Sequence, residues 1–204
     1  MRSFWSEPFL WIHVAGAAVL PIFLGLCLLG LAVGSPLLPV WLEVFLVGVV
    51  GIAPVLWMQW FRPFYIFSIL VVAMKPQNLT PLQQRILTRL KSPLNRGLAL
   101  FVAVLLVIIL WQLYRFAPLA ASVAPFPPQW RLAGLLLAAV AFLASNLFLQ
   151  VPVSVSAVLL TTESEFAATK PDALEKIGQD FTIAGWQVDR ILPTFAGEIE
   201  KSGS

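Results

Sequence analysis

The sequence predicts an all-α integral membrane protein with about four transmembrane helices, on the strength of three observations. Of its 204 residues, 59% are hydrophobic and only 11% are charged, whereas soluble domains carry roughly 25% charged residues. Residues 37–74 form one long apolar run whose only charges are Glu43 and Arg62. The stretch that follows, residues 75–96, holds five basic residues and no acidic one. The chain therefore places a basic surface beside a membrane.

Four apolar stretches are long enough to be spans, since a bilayer crossing needs about 20 apolar residues. We predict spans at residues 9–33, 38–58, 97–114 and 132–149. Gly34, Ser35 and Pro36 form a turn after the first, and the proline-rich residues 117–129 form a loop after the third. The first stretch is read as a span because it continues without the small-residue cleavage site of a signal peptide.

The basic residues also predict the orientation, because cytoplasmic loops carry an excess of Lys and Arg. A cytoplasmic N-terminus leaves only Arg115 and Arg131 on the outer side. The other eleven are then inside, at positions 2, 62, 75, 85, 89, 91, 96, 170, 176, 190 and 201. Both termini are thus expected in the cytoplasm. Tryptophans at both predicted interfaces agree with an aromatic belt.

Two short apolar segments, residues 63–74 and 151–160, follow the second and fourth spans and are too short to cross. They could be interfacial helices, re-entrant elements or proline-kinked extensions of the preceding helix, and we expect extensions. The similar order of elements predicts a 2+2 tandem repeat of residues 1–96 and 97–195, with a chance resemblance of hydropathy as the alternative. Residues 196–204 are expected to form a mobile polar C-terminus.

Amphipathic helices are predicted beside each short segment. In residues 81–91 the apolar side chains share one face, and we expect this basic helix to lie on an anionic membrane surface. Leu174, Ile177 and Phe181 form a similar stripe in the cytoplasmic tail. The basic residues assigned to the membrane surface are Lys75, Arg85, Arg89, Lys91 and Arg96.

Two sets of residues are candidates for binding a partner or lipid. The first is an aromatic cluster around Arg62, expected to dock a partner helix or an anionic lipid headgroup, with ordinary snorkelling as the alternative. The second is a row of small side chains in the fourth span, which lets another helix approach closely. That helix could be internal or belong to a partner. The two sets are Trp57, Trp60, Phe61, Arg62, Phe64 and Tyr65, and Gly134, Ala138, Ala141 and Ser145.

Two single residues in the predicted spans are chemically distinctive. His13, the sole histidine, is a candidate axial ligand for a pigment or haem, and the alternative is a hydrogen bond between helices. Glu43 is an intramembrane carboxylate, which suggests function by default. We expect a structural pair with Arg131 or Arg115, and a proton relay is the alternative.

Catalytic motifs are missing from the sequence. It contains no Walker A loop, HExxH, CxxC or nucleophile elbow, so we expect no enzyme and no metal site. Nucleic-acid binding is not expected either, because membrane orientation already explains the charge of the basic stretch.

Three segments resemble a cyanobacterial family labelled "low-complexity tail membrane protein": MRSFWSEPFLWIH at residues 1–13, SPLLPVWLE at 35–43 and FRPFYIFSIL at 61–70. The resemblance covers the chain to about residue 195. It implies a thylakoid membrane protein and an auxiliary or assembly factor of a photosynthetic complex, with photosystem II as first choice. It also implies hetero-oligomers over homo-oligomers.

We predict no intrinsic cofactor, and a partner interface is the possible place for chlorophyll or carotenoid. Membrane lipids are the other expected partners. Two alternatives stay open: a small transporter or channel, and a pigment- or haem-binding protein that uses His13.

Overall fold

The structure, a computed structural model, describes residues 3–69, 71–171 and 173–192. Arg2, Lys201 and the expected mobile C-terminus at 196–204 lie outside the described residues. Within them, four helical stretches are long and apolar enough to cross a membrane: Pro8–Leu31, Val40–Phe61, Pro93–Val123 and Pro128–Leu159. The prediction of an all-α membrane protein with four spans is confirmed.

The first span consists of two helices, α1 (Pro8–Gly16) and α2 (Leu20–Leu31), joined by the 3-10 turn Ala17–Val19. Pro21 lies in the first turn of α2, where a missing N–H leaves no hydrogen bond unmade. The second span is α3 (Val40–Phe61).

The other two spans are α5 (Pro93–Phe116), which continues as a 3-10 helix, and α6 (Arg131–Leu159). With 29 residues, α6 is about 43 Å long at 1.5 Å per residue, well beyond the roughly 30 Å hydrocarbon core. It runs through Pro152 without ending. The expected helical extension at residues 151–160 is therefore confirmed for this segment.

The matching prediction for residues 63–74 is wrong. This segment forms a hairpin of β1 (Ser68–Ile69) and β2 (Val72–Met74), and β3 (Trp186–Val188) pairs parallel with β2. Helix α3 stops because a proline disfavours helical dihedrals in the residue before it, and Arg62 has φ −139° and ψ 79°.

A strand from the tail completes this small sheet. The outer edge of β2 would otherwise present unpaired backbone groups, and β3 pairs with them from far along the chain. Gly185 permits this approach, since it has φ +93° and a Cβ there would lie 2.0 Å from the Val71 carbonyl oxygen. The two halves of the chain thus differ at this point, and the tandem repeat stays a prediction.

The remaining helices lie with the hairpin at one end of the bundle. They are α4 (Pro81–Leu90), α7 (Glu163–Ala168) and α8 (Leu174–Asp180). Helix α4 begins at a capping box in which Thr80 and Gln83 bond each other's backbone amides. We call this end the basal layer, meaning the described residues of 3–7, 62–92 and 160–192.

The described residues form two hydrophobic cores. The bundle core lies among the spans, where α6 packs against each of the other three. The basal core joins the basal layer to the adjoining ends of α1 and α6. The apolar stripe of α4 (Ile86, Leu87 and Leu90) is buried in the basal core. The expectation that this helix lays its apolar face on the membrane is therefore wrong: the face contacts protein.

Candidate functional site

The aromatic cluster predicted around Arg62 is divided into an exposed part and a buried part. Trp57 and Phe61 are 68% and 57% exposed, with ring centroids 4.3 Å apart, and Trp60 is exposed beside them. We call these three residues the aromatic ridge. They lie within about one turn of each other on the last turns of α3, where a partner can reach them.

Arg62 itself fixes the tail of the chain. Its Nη2 atom donates to the carbonyl oxygens of Gly178 at 3.1 Å and Phe181 at 3.0 Å, and its own carbonyl accepts from Thr182 Oγ1 at 2.7 Å. The guanidinium is therefore engaged within the chain. Only the Nη2 atom is bonded in this way and Arg62 is an exposed residue, so its role as the centre of a headgroup or partner site stays a prediction.

Phe64 and Tyr65 belong to the interior. Phe64 is half-buried, and Tyr65 is fully buried, where its hydroxyl donates to the Met74 carbonyl at 3.0 Å. Burial raises the pKa of Tyr65 above its ordinary value. These two residues stabilise the fold of the hairpin and are not available to a partner.

A groove of about 250 Å³ opens between the end of α3 and the start of α5. Residues from three parts of the chain line it: Gln59, Trp60, Phe61, Pro63, Leu90, Lys91, Arg96 and Asp180. The sequence singled out Trp60, Phe61, Lys91 and Arg96 separately, but it did not group them with Gln59 and Asp180. No local pattern connects residues that only the fold brings together.

Three of the five basic residues assigned to the membrane surface are paired with acids of the basal layer. Lys75 Nζ lies 2.9 Å from Asp189, Lys91 Nζ lies 2.8 Å from Asp180, and Arg89 lies 3.7 Å from Glu165. The hydrogen bond from Lys75 lowers the pKa of Asp189 below its usual value. These pairs reduce the positive charge that the layer offers to a membrane.

The two other members of that set differ in environment. Arg85 is half-buried, and its Nε atom is buried with no hydrogen-bond partner among the described residues. Arg96, four residues into α5, is exposed and lines the groove. Of the predicted membrane-surface residues, Arg96 is thus the one best placed to meet an anion.

His13 makes a hydrogen bond within the protein, which is the kind of role given as the alternative to pigment or haem ligation. Its Nε2 atom lies 2.7 Å from the Ile66 carbonyl oxygen, and its ring meets Phe64 edge to face at 5.8 Å. A carbonyl can only accept, so Nε2 carries the proton in this arrangement. The bond ties the first span to the hairpin, and pigment ligation by His13 stays a prediction.

At the opposite end of the bundle, Glu43 pairs with Arg131, and both are buried. The expected structural pair is confirmed with Arg131; Arg115 instead contacts Gln112 at 3.4 Å. Glu43 also accepts from the Leu37 amide at 2.9 Å.

The same pair reaches two further elements. Tyr114 of α5 donates to Glu43 at 3.3 Å. Arg131 Nη1 donates to the carbonyls of Leu31 at 2.6 Å and Val33 at 2.9 Å. One ion pair thus joins the end of α2, the loop that follows it, α3, α5 and α6.

The small side chains of the fourth span pack inside the chain. Gly134, Ala138, Ala141 and Ser145 are all buried, and the backbones of Gly134 and Gly30 approach closely. The helix that was predicted to approach this row closely is therefore internal: α6 packs against the first span and against α3. These four residues do not form a surface for a partner.

A row of polar side chains on α6 was not predicted as a set. Asn146, Gln150 and Ser154 are buried and spaced four residues apart, which places them on one face. Asn146 donates to the Gly51 carbonyl at 3.0 Å. Its Oδ1 atom and both polar atoms of Gln150 have no hydrogen-bond partner among the described residues. The spacing was the signal that could have revealed this polar row.

No group of three or more His, Cys, Asp or Glu side chains in the described parts of the chain could hold a metal ion. The family model described as "Low-complexity tail membrane protein-like" matches residues 6–193. The chain belongs to this family. The low-complexity tail membrane protein-like match spans both cores and all four spans, and it confirms the resemblance read from the sequence. No curated protein and no solved structure matches the chain.

Proposed function

We propose that the protein is a non-enzymatic auxiliary or assembly factor that binds a larger photosynthetic membrane complex in the thylakoid, with photosystem II as first choice. The proposal is supported by the resemblance to a cyanobacterial family and by the way the chain uses its polar groups. Glu43 and Arg131 are committed to each other, and Arg62 is committed to the tail. Within the described parts of the chain these polar groups bond to groups of the same chain, which favours a role in association over catalysis.

The aromatic ridge is the observation that carries the proposal. Trp57, Trp60 and Phe61 protrude from a helix that the basal layer holds at its end. Aromatic residues are enriched at interface hot spots, and rigid rings lose little entropy on binding. A partner helix, or a chlorophyll or carotenoid held by the partner, would contact these rings.

The test is copurification with a tagged copy of the protein from thylakoid membranes, with a photo-crosslinking residue at position 57. Position 45 is the matched control, since Phe45 is an exposed aromatic on the same helix. We expect photosystem subunits to crosslink from position 57 and not from position 45, and the double variant W57A/F61A to lose them. Equal crosslinking from both positions, or recovery of the protein free of any complex, would contradict the proposal.

The orientation is part of the proposal: the basal layer faces the cytoplasm. The excess of Lys and Arg at this end supports it. The native Cys27 is buried, so single introduced cysteines can be labelled with little background. On intact thylakoids an impermeant maleimide should label K176C in the basal layer and spare L119C at the other end. The reverse pattern would invert the assignment.

A small transporter or channel is a second candidate, and the polar row on α6 favours it. Unpaired polar atoms in a span are costly and often mark a path for a polar solute. In liposomes, ion or solute uptake that falls in N146L/Q150L but not in S145A would support this function. Ser145 is the matched control because its hydroxyl bonds its own helix at Ala141. An absorption spectrum of the same purified sample tests pigment or haem binding through His13.

A further inference from the structure

The groove between α3 and α5 has the charge and setting of a binding site for an anionic lipid. It lies where α3 ends at Phe61 and α5 begins at Pro93, so its depth is that of the boundary between the spans and the basal layer. Its volume of about 250 Å³ equals that of about eight water molecules at roughly 30 Å³ each. That space suits a phosphodiester with a small polar headgroup.

The charged residues of the groove favour a single negative charge. Lys91 and Arg96 line it together with Asp180, which leaves one net positive charge. The Lys91 ammonium is shared, because it lies 2.8 Å from Asp180 Oδ2 and 5.7 Å from the centre of the Phe181 ring. Across residues 3–69, 71–171 and 173–192, no hydrogen bond or ion pair engages the Arg96 side chain. Its guanidinium is therefore the group available to an incoming anion.

A buried neutral side chain completes the polar wall. Gln59 is only 7% exposed, and its Oε1 atom accepts from the Phe64 amide at 3.5 Å. That bond directs the carboxamide oxygen toward the backbone and leaves the NH₂ group as the donor. A carboxamide donor beside a guanidinium is a suitable pair for phosphate oxygens.

The apolar surface next to the polar wall favours a lipid over a soluble anion as the ligand. Trp60 and Phe61 form part of the groove and are exposed, and Leu94, two residues before Arg96, is exposed on the first turn of α5. A free phosphate would leave these side chains uncovered, whereas the acyl chains of a lipid would cover them. We propose that this groove binds the headgroup of a singly charged anionic phospholipid, with Arg96 as the principal ligand. Trp60 and Phe61 also belong to the aromatic ridge, so a lipid and a protein partner would share these two rings, but the headgroup site at Arg96 does not require the partner.

Competitive binding of phospholipids to the purified protein tests the proposal. Native mass spectrometry in detergent would measure how much phosphatidylglycerol the protein retains relative to phosphatidylcholine at equal concentration. The variant R96Q should lower this ratio about five-fold, the change that corresponds to about 1 kcal/mol for one basic residue at a membrane surface. R115Q is the matched control, since Arg115 is an exposed arginine in the last turn of the same helix, far from the groove.

A gain of binding provides a second measurement that misfolding cannot mimic. D180N raises the net charge of the groove by one, so its ratio should rise, again about five-fold. Equal losses in R96Q and R115Q, or no gain in D180N, would overturn the proposal in favour of diffuse surface attraction. Displacement of the lipid by glycerol 3-phosphate at matched concentration would assign the groove to a soluble anion and overturn the lipid assignment.

Discussion

The bundle core and the basal core are built from different side chains, although they lie end to end along the same helices. In the bundle core, glycine and alanine bring backbones together: a Cβ on Gly30 would lie 2.6 Å from the Gly134 carbonyl oxygen. In the basal core, aromatic rings fill the space, and the ring centroids of Phe4 and Phe166 are only 4.3 Å apart.

The difference follows from the solvent on each side. Lipid tails are as apolar as the side chains, so burial in the bilayer yields little hydrophobic gain and close packing has to hold the helices. The basal core excludes water, and burying a large apolar side chain there contributes about 1.5–3 kcal/mol to the free energy of folding. The two cores of one chain thus rely on different kinds of packing.

The largest expected effect comes from breaking the ion pair at the far end of the bundle. R131L leaves the buried carboxylate of Glu43 without its cation, and such a change costs about 3–5 kcal/mol. We expect a large loss of thermal stability in detergent. R115Q should stay near the wild type, because Arg115 contacts only Gln112 within its own helix.

The double variant E43L/R131L sharpens this result. Replacing both partners of a buried pair by apolar residues is often close to neutral. Here the carbonyls of Leu31 and Val33 and the amide of Leu37 also lose their partners. The double variant should therefore recover only part of the loss, and a full recovery would mean that these backbone bonds add nothing.

Removing a ring from the basal core should unfold that layer and spare the spans. Phe166 is buried against Phe4, and F166A should cost about 3–5 kcal/mol. Hydrogen exchange should accelerate in α7 and α8 while the bundle keeps its protection. F101A, which removes an exposed ring from α5, is the control. Exchange that accelerates equally in both cores would show that they unfold as one unit.

Adding one methyl group to the bundle core should have a smaller effect, about 1–3 kcal/mol. In G134A the new Cβ would lie 2.6 Å from both the Gly30 carbonyl oxygen and Val33 Cβ. G25A is the matched control in the same pair of helices, because nothing lies within 4 Å of its Cβ. Thermal denaturation should separate the two variants; equal melting points would refute close packing at this contact.

The smallest effect concerns the pH dependence of the contact between β3 and the hairpin. Because Lys75 lowers the pKa of Asp189 in the folded protein, the pair stabilises the fold above the usual value of 3.8. That contribution is lost as the pH falls below 3.8 through the lowered pKa. The protection factor of the β3 amides, which corrects the exchange rate for the intrinsic rate at each pH, should therefore fall slightly in acid for the wild type and not for D189N. A wild type that matches D189N at every pH would show that the pair contributes nothing.

The sequence predicts the parts of the fold that local pattern determines. Hydropathy located the four spans, and the need to compensate a buried carboxylate led to a predicted pair of Glu43 with Arg131 or Arg115, between which only the fold decides in favour of Arg131. The helical stripe of α4 was also recognised, but its pattern is the same whether the face meets lipid or protein. The hairpin was missed because its pairing partner, β3, lies more than a hundred residues further along.

The groove could not be predicted for the same reason. Arg96, Gln59 and Asp180 come from three elements, and although Gln59 lies within the aromatic cluster, nothing in the sequence connects the three residues. The site residues on α6 were recognised as a close-packing face, but only the fold decides that the neighbouring helix is internal.

The pairing of β3 with β2 sets an order of events during synthesis. Ribosomes add about 5–20 residues per second, so the edge of β2 waits roughly 5–20 seconds for the strand that closes it, because β3 follows more than a hundred residues later. By then all four spans have left the ribosome and can enter the membrane. The basal layer is therefore completed after the four spans, and a nascent chain exposes an open strand edge until β3 arrives.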